Sequence, residues 1–186
     1  MITNEKIYLK DVAEILSGVY EKTDPDGDVA YLQTKDCTDV VVTRLASRVF
    51  ETPKILKNLL RRGDVLFASK GVNYLSVVFE GQERAVASTS FFVIRLKPPA
   101  VTPEYLCWFL RQPSVEAYFK TLQAGSATPL IHKPAVENLE IPVPSLAVQK
   151  LIVDIACLSQ REKELQLSII EKKQAIVQQL LMNKIK

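Results

Sequence analysis

The chain has 186 residues, 47% of them hydrophobic and 24% charged, which suits one packed domain with an appendage and argues against disorder. It holds no run of eighteen apolar residues, and its first residues, MITNEKIYLKDVAEIL, carry charges throughout, so neither a membrane span nor a secretory leader is expected. Cys37, Cys107 and Cys157 are far apart and lack CxxC spacing, which speaks against a disulfide framework or a zinc site and for a reducing, cytoplasmic setting.

The elements follow in chain order. "IYLKDVAEILSG" spaces its apolar residues for a short strand and then a helical turn, with Gly18 as a stop. "KTDPDGD" is turn chemistry. "VAYLQT" and "DVVVTRL" read as strands rich in β-branched residues, and "RRGDVLFASKG" as turn, buried strand, turn. "YLSVVFEG" and "RAVASTSFFVIRLKP" continue the β pattern. A helix is expected after Thr102, an N-cap residue followed by Pro103 and Glu104. Pro113 breaks it, and Ser114 can cap a second short helix with Val115, Tyr118, Phe119 and Leu122 inward. Residues 123–145 give a loop, a short turn and an extended exit strand, which Pro142 confines to an edge.

Ser145 is the expected cap of a last, long helix, because no Pro or Gly occurs from 146 to 186. Leu151, Ile155, Leu158, Leu165, Ile169, Ile176 and, with a slip, Leu180 follow alternating three- and four-residue steps, with Glu162 and Lys172 in the missing places. At 1.5 Å per residue the helix reaches about 60 Å, against about 30–35 Å for a domain of this size. Such a seam is expected to pair with another helix, as a coiled-coil homodimer, rather than to wrap its own domain. The expected division is therefore a globular domain over 1–144 and a helix over 145–186.

The net charge of +3 is too small to name a partner, yet it is uneven. Arg44, Arg48, Lys54, Lys57, Arg61, Arg62 and Lys70 face only Glu51 and Asp64 in the same stretch, a clustering able to form a phosphate-binding surface. Chemistry is hard to find. The single histidine, His132, has Glu137 as its closest carboxylate in sequence and no nucleophile announced beside it, and no Walker loop, GxGxxG, HExxH or GxSxG is present. No enzyme activity, cofactor or metal is expected. Candidate recognition residues lie in loops: Gln33, Thr34 and Lys35; Ser69, Lys70, Asn73 and Tyr74; Ser126, Thr128, His132 and Lys133; with Arg44, Arg61 and Arg62 for phosphates. Gln and Asn can read adenine, and Arg and Lys can read guanine or hold phosphate. Each is also an ordinary turn residue able to satisfy its own backbone.

The order of segments resembles a target-recognition domain of the specificity subunit of type I restriction–modification systems. "IYLKDVAEILSG", "YLQTKD", "LLRRGDVLFASKG", "VASTSFFVIRL", "TPEYLCWFL" and "GSATPLIHKPAVENLEIPVPSLAVQKLIVDI" carry the resemblance, over essentially the whole chain. It implies an α+β globular domain, with a mixed or antiparallel sheet and short helices, followed by one long helix. It also implies a non-catalytic role: reading one half of a bipartite sequence in double-stranded DNA and bringing methyltransferase and restriction subunits to it. Family members usually carry two such domains and two helices, so either two copies of this chain pair through the helix or this is a fragment. An acidic residue commonly precedes the family's closing glutamine, where this chain has Val148 before Gln149. A coiled-coil adaptor that binds proteins without reading DNA is the alternative.

Overall fold

The computed structural model describes residues 6–38, 40–70, 74–81, 83–97, 100–122 and 130–185. The chain forms two compact units, which part after Gln149. Among the described residues, the first holds nine strands in three sheets. β1 (Lys6–Tyr8) pairs antiparallel with β9 (Glu140–Pro142). β2 (Ala13–Ser17), β8 (Phe91–Leu96), β5 (Val65–Ala68) and β6 (Ser76–Val78) form an antiparallel four-stranded sheet in that order. β4 (Ser47–Val49), β3 (Val29–Leu32) and β7 (Ala85–Ala87) form a third sheet, in which β3 and β7 run parallel.

β3 and β7 are buried on both faces, which explains their continuous apolar runs. Ala30, Leu32, Ala85 and Ala87 pack against Leu66, Val77, Phe91 and Val93 of the four-stranded sheet. Val29, Tyr31 and Val86 pack on the opposite side with Val49 and Ile55. Ile55 lies on α2 (Pro53–Lys57), a one-turn helix capped by the Thr52 hydroxyl, which accepts the Ile55 N–H. The other face of the larger sheet meets α3 (Pro103–Leu110) and α4 (Pro113–Leu122): the Ser76 hydroxyl donates to the Cys107 carbonyl, and the Phe67 and Phe119 rings lie 5.4 Å apart. Truncating a fully buried leucine such as Leu66 or Leu106 to alanine costs about 2–5 kcal/mol in such a core.

Several expectations hold in detail. The Thr102 hydroxyl accepts the Tyr105 N–H, with Pro103 in the first turn. β9 sits in a two-stranded edge sheet, where Pro142 is tolerated. Others are corrected. The helical turn α1 (Leu9–Val12) is short, and Ala13–Ser17 continues as β2 because it has β8 to pair with. In "DVVVTRL" the described residues 40–45 do not form a strand. Thr43–Leu45 is a 3₁₀ turn, the Val42 N–H goes to the Asp36 carbonyl, and Val40 and Leu45 are exposed. The strand falls later, at β4, where β3 supplies a partner. α4 starts at Pro113, not at a Ser114 cap, since proline's missing N–H costs nothing in the first turn; its Leu122 is exposed.

The segment α5 (Lys133–Glu137) leads through β9 to α6 (Leu146–Ile185), whose first turn begins with the Ser145 carbonyl accepting the Gln149 N–H. Gln149 is fully buried. Its Oε1 accepts the Thr102 N–H at 2.9 Å, and its Nε2 donates to the carbonyls of Ala100 (2.8 Å) and Pro144 (2.9 Å). In the second unit, Leu151, Ile155, Leu158, Leu165, Ile169, Ile176 and Leu180 are all exposed, from 49% at Leu165 to 70% at Leu158. Leu167, Ile170, Val177 and Leu181 form a further exposed apolar row that the heptad reading did not use. No helix among the described residues is long and apolar enough to cross a membrane.

Candidate nucleic-acid interface

Strand direction decides which loops meet. β3, β5 and β7 end, and β4, β6 and β8 begin, at the same end of the two packed sheets. That end gathers residues 33–38, 40–46, 69–70, 74–75 and 88–90. Hydrogen bonds tie them together: the Ser88 N–H donates to the Leu32 carbonyl, the Ser69 N–H to the Ser90 carbonyl, and the Ser69 hydroxyl to the Thr89 carbonyl. The segment 130–133 joins the group, because the Ile131 N–H donates to the Ser69 carbonyl and Lys70 bridges Leu130.

Of the expected recognition residues, Gln33, Thr34, Lys35, Arg44, Ser69, Lys70, Tyr74, His132 and Lys133 therefore stand at this one end. Thr34, Lys35, Arg44, Lys70, His132 and Lys133 are exposed. Lys133 forms a 3.5 Å ion pair with Glu137. Lys35 sits in a 3₁₀ turn (Thr34–Asp36) held by the Asp36 carboxylate, which accepts the Gln33 N–H at 2.9 Å. Ser69 and Tyr74 are buried instead: Ser69 supports the Thr89 backbone, and the Tyr74 ring stacks on Phe119 with centroids 6.0 Å apart. Tyr74 also has a positive φ of 33°, a strained backbone for a residue with a Cβ. Asn73, Ser126 and Thr128 lie outside the described residues. Burial, with Asp36 adjacent, pushes the Cys37 thiol up to about 12, so Cys37 is a packing group there and not a nucleophile.

Arg61 and Arg62 stand at the other end of β5. They are exposed on a turn whose Gly63 has φ +89°, a conformation that favours glycine. Asp64, 2% exposed, holds this turn. Its carboxylate accepts the Arg61 N–H (2.8 Å) and two bonds from Arg95, Nε at 2.9 Å and Nη2 at 2.7 Å. That bond, before the partly opposing effect of burial, raises the Arg95 pKa. Arg95 also donates to the Leu59 carbonyl. The basic stretch 44–70 is thus not one surface. Arg44 and Lys70 are at the loop end, Arg61 and Arg62 at the far end, while Arg48 pairs with Glu83 at 3.0 Å and Lys54 with Glu21 at 3.4 Å.

The family model for the type I restriction modification DNA specificity domain matches residues 1–178. The chain belongs to that family. Among the family's proteins, the chain is 29% identical over 138 residues to the Type I restriction enzyme HindI specificity subunit of Haemophilus influenzae, covering 72% of this chain and 30% of that one. The fold is similar to the HsdS subunit from Thermoanaerobacter tengcongensis (TM-score 0.63, 18% identity, 85% of this chain and 37% of the other). It is also similar to a chain of a type I R-M system (TM-score 0.64, 18% identity, 85% and 38%) and to the S subunit from M. genitalium (TM-score 0.57, 16% identity, 91% and 42%). The chain spans about a third of the curated relative and about two-fifths of the solved ones.

Sequence reasoning missed Thr89 and Ser90. "ASTS" lay inside what read as one strand, and its four small residues were the only signal of a break. The chain leaves one sheet at Ala87 and enters the other at Phe91.

Proposed function

We propose that this chain is a non-catalytic specificity module that reads a sequence in double-stranded DNA through the loop end of its globular unit. The observation that carries the reading is the convergence of four segments at one end of two packed sheets, on a chain of the DNA specificity domain family. Lys35, Arg44 and Lys70 supply exposed positive charge there for phosphates; Gln33, Thr34 and His132 supply groups able to meet base edges. The reading keeps Asn73, Ser126 and Thr128, which lie outside the described residues, as candidates. Methyltransferase and restriction subunits carry the catalysis, in the cytoplasm. No cofactor is assigned to this chain.

In this reading two copies pair through the exposed seam from Leu151 to Leu180 and present two globular units to two half-sites. A symmetric pair matches a palindromic, interrupted sequence. Pro142 and Pro144 stiffen the approach to the helix, and the helix acts as the spacer.

Selection from a random duplex pool tests the first claim. Enrichment of one motif, with affinity falling steeply as salt rises, is the expected result. An adaptor that only binds proteins enriches nothing. For the pairing, a solution mass at tens of micromolar should be that of a dimer, and Ile155→Glu with Ile169→Glu should return it to one chain. A monomeric mass for the unmodified chain would sink the homodimer.

A further inference from the structure

The centre of the loop end is a turn that none of the expected recognition residues occupies. Ser88 to Phe91 is a β-turn closed by the Phe91 N–H donating to the Ser88 carbonyl at 3.0 Å, with Thr89 and Ser90 at its two central positions. Every side of this turn is braced. Leu32 accepts the Ser88 N–H, and Ser69 binds both the Thr89 and the Ser90 carbonyls. On the β2 side the Gly18 N–H donates to the Phe91 carbonyl at 3.0 Å. Gly18 packs so closely that a Cβ there would lie 1.9 Å from the Ser88 carbonyl oxygen. Thr89 itself is exposed, and its side chain has no hydrogen bond or ion pair among the described residues. A side chain left free on a backbone this firmly held is preorganised for a partner, since little ordering remains to be done on binding.

From this placement we propose that Thr89 is a specificity-determining residue that meets a base-pair edge in the major groove. Its flanks favour that role. Thr34 and Lys35 follow β3, and Lys70 follows β5; both strands end against this turn. A threonine offers a hydroxyl that both donates and accepts and a methyl that packs on the thymine C5-methyl. The inference rests on the DNA-reading function proposed above.

The test compares motifs selected from a random duplex pool by the full chain and by Thr89→Ala, Thr89→Ser and Thr89→Val. Thr89→Ala should relax discrimination about five- to tenfold at one or two adjacent positions of the motif. The rest of the motif, the salt slope and the melting temperature should not change. Thr89→Ser and Thr89→Val divide the hydroxyl from the methyl, and at least one should restore part of the preference. A Thr89→Ala motif identical to that of the unmodified chain overturns the inference alone. If the unmodified chain selects no motif, the DNA-reading function falls and this inference with it.

Discussion

The two ends of strand β5 are built on opposite plans. At its start, one buried carboxylate, Asp64, binds the turn before it and the guanidinium of Arg95 on the neighbouring strand. The buried polar groups there, Asp64 and Arg95, are consumed by the fold, while Arg61 and Arg62 stay exposed on the turn. At its end, Ser69 hands its hydrogen bonds to the backbone of the 88–90 turn, and Lys35, Arg44, Lys70 and Thr89 are left facing solvent. One strand of four residues separates a locked end from an open one. A positive charge is therefore informative about binding only once its end of the strand is known, and the run from Arg44 to Lys70 conceals that division.

The contrast can be broken or sharpened by substitution. The largest effect is expected from Asp64→Ala. It leaves the largely buried Arg95 without its carboxylate partner and frees the Arg61 turn, so denaturant unfolding should show a loss of about 3 kcal/mol. The salt dependence of DNA binding should stay as it was. Next comes Arg44→Glu with Lys70→Glu, which should weaken duplex binding about tenfold or more for all sequences and lower the salt slope by about one for each phosphate no longer neutralised, without changing the melting temperature. Arg61→Glu with Arg62→Glu should weaken binding only a few-fold, through long-range charge. A loss equal to that of the Arg44 and Lys70 pair would mean that the duplex reaches both ends, and the contrast would fail.

A separate effect is alkaline. Cys37 is held protonated to about 12, chiefly by burial, and Tyr74 is raised above its ordinary value for the same reason. Both sit at the loop end. The folded chain thus keeps protons that the unfolded chain releases above about pH 9, and stability is full below that pH and falls as pH rises beyond it. Unfolding followed from pH 8 to 11 should show this decline, and Cys37→Ala should flatten part of it. A decline untouched by that change would assign it to other groups.

Much of the architecture could be read from particular residues. Thr102 with Pro103 marks α3, and the absence of Pro and Gly after Ser145 marks α6. The same signal at Thr52 and Pro53 starts α2, but it lies inside a stretch read for its charge. "DVVVTRL" misleads because β-branched residues favour a strand only where a partner strand lies beside them, and Val42 bonds to Asp36 instead. The site was legible as a set of loops but not as a place. Its assembly depends on the parallel pairing of Leu32 with Ala87, and nothing local in either segment announces that pairing. Arg61 and Arg62 fall at one end and Lys70 at the other because the four residues of β5 lie between them.

Gln149 gives the globular unit a natural reporter. The Thr102 amide proton is held by a side chain 47 residues further along the chain, on the first turn of α6. It has no helical partner of its own, because it precedes α3. Its exchange with solvent deuterium is therefore set by how often that first turn lets go, and not by fraying of α3. A slow Thr102 amide would mark the root of α6 as part of the cooperative folding unit; a fast one would mark it as a joint that opens on its own.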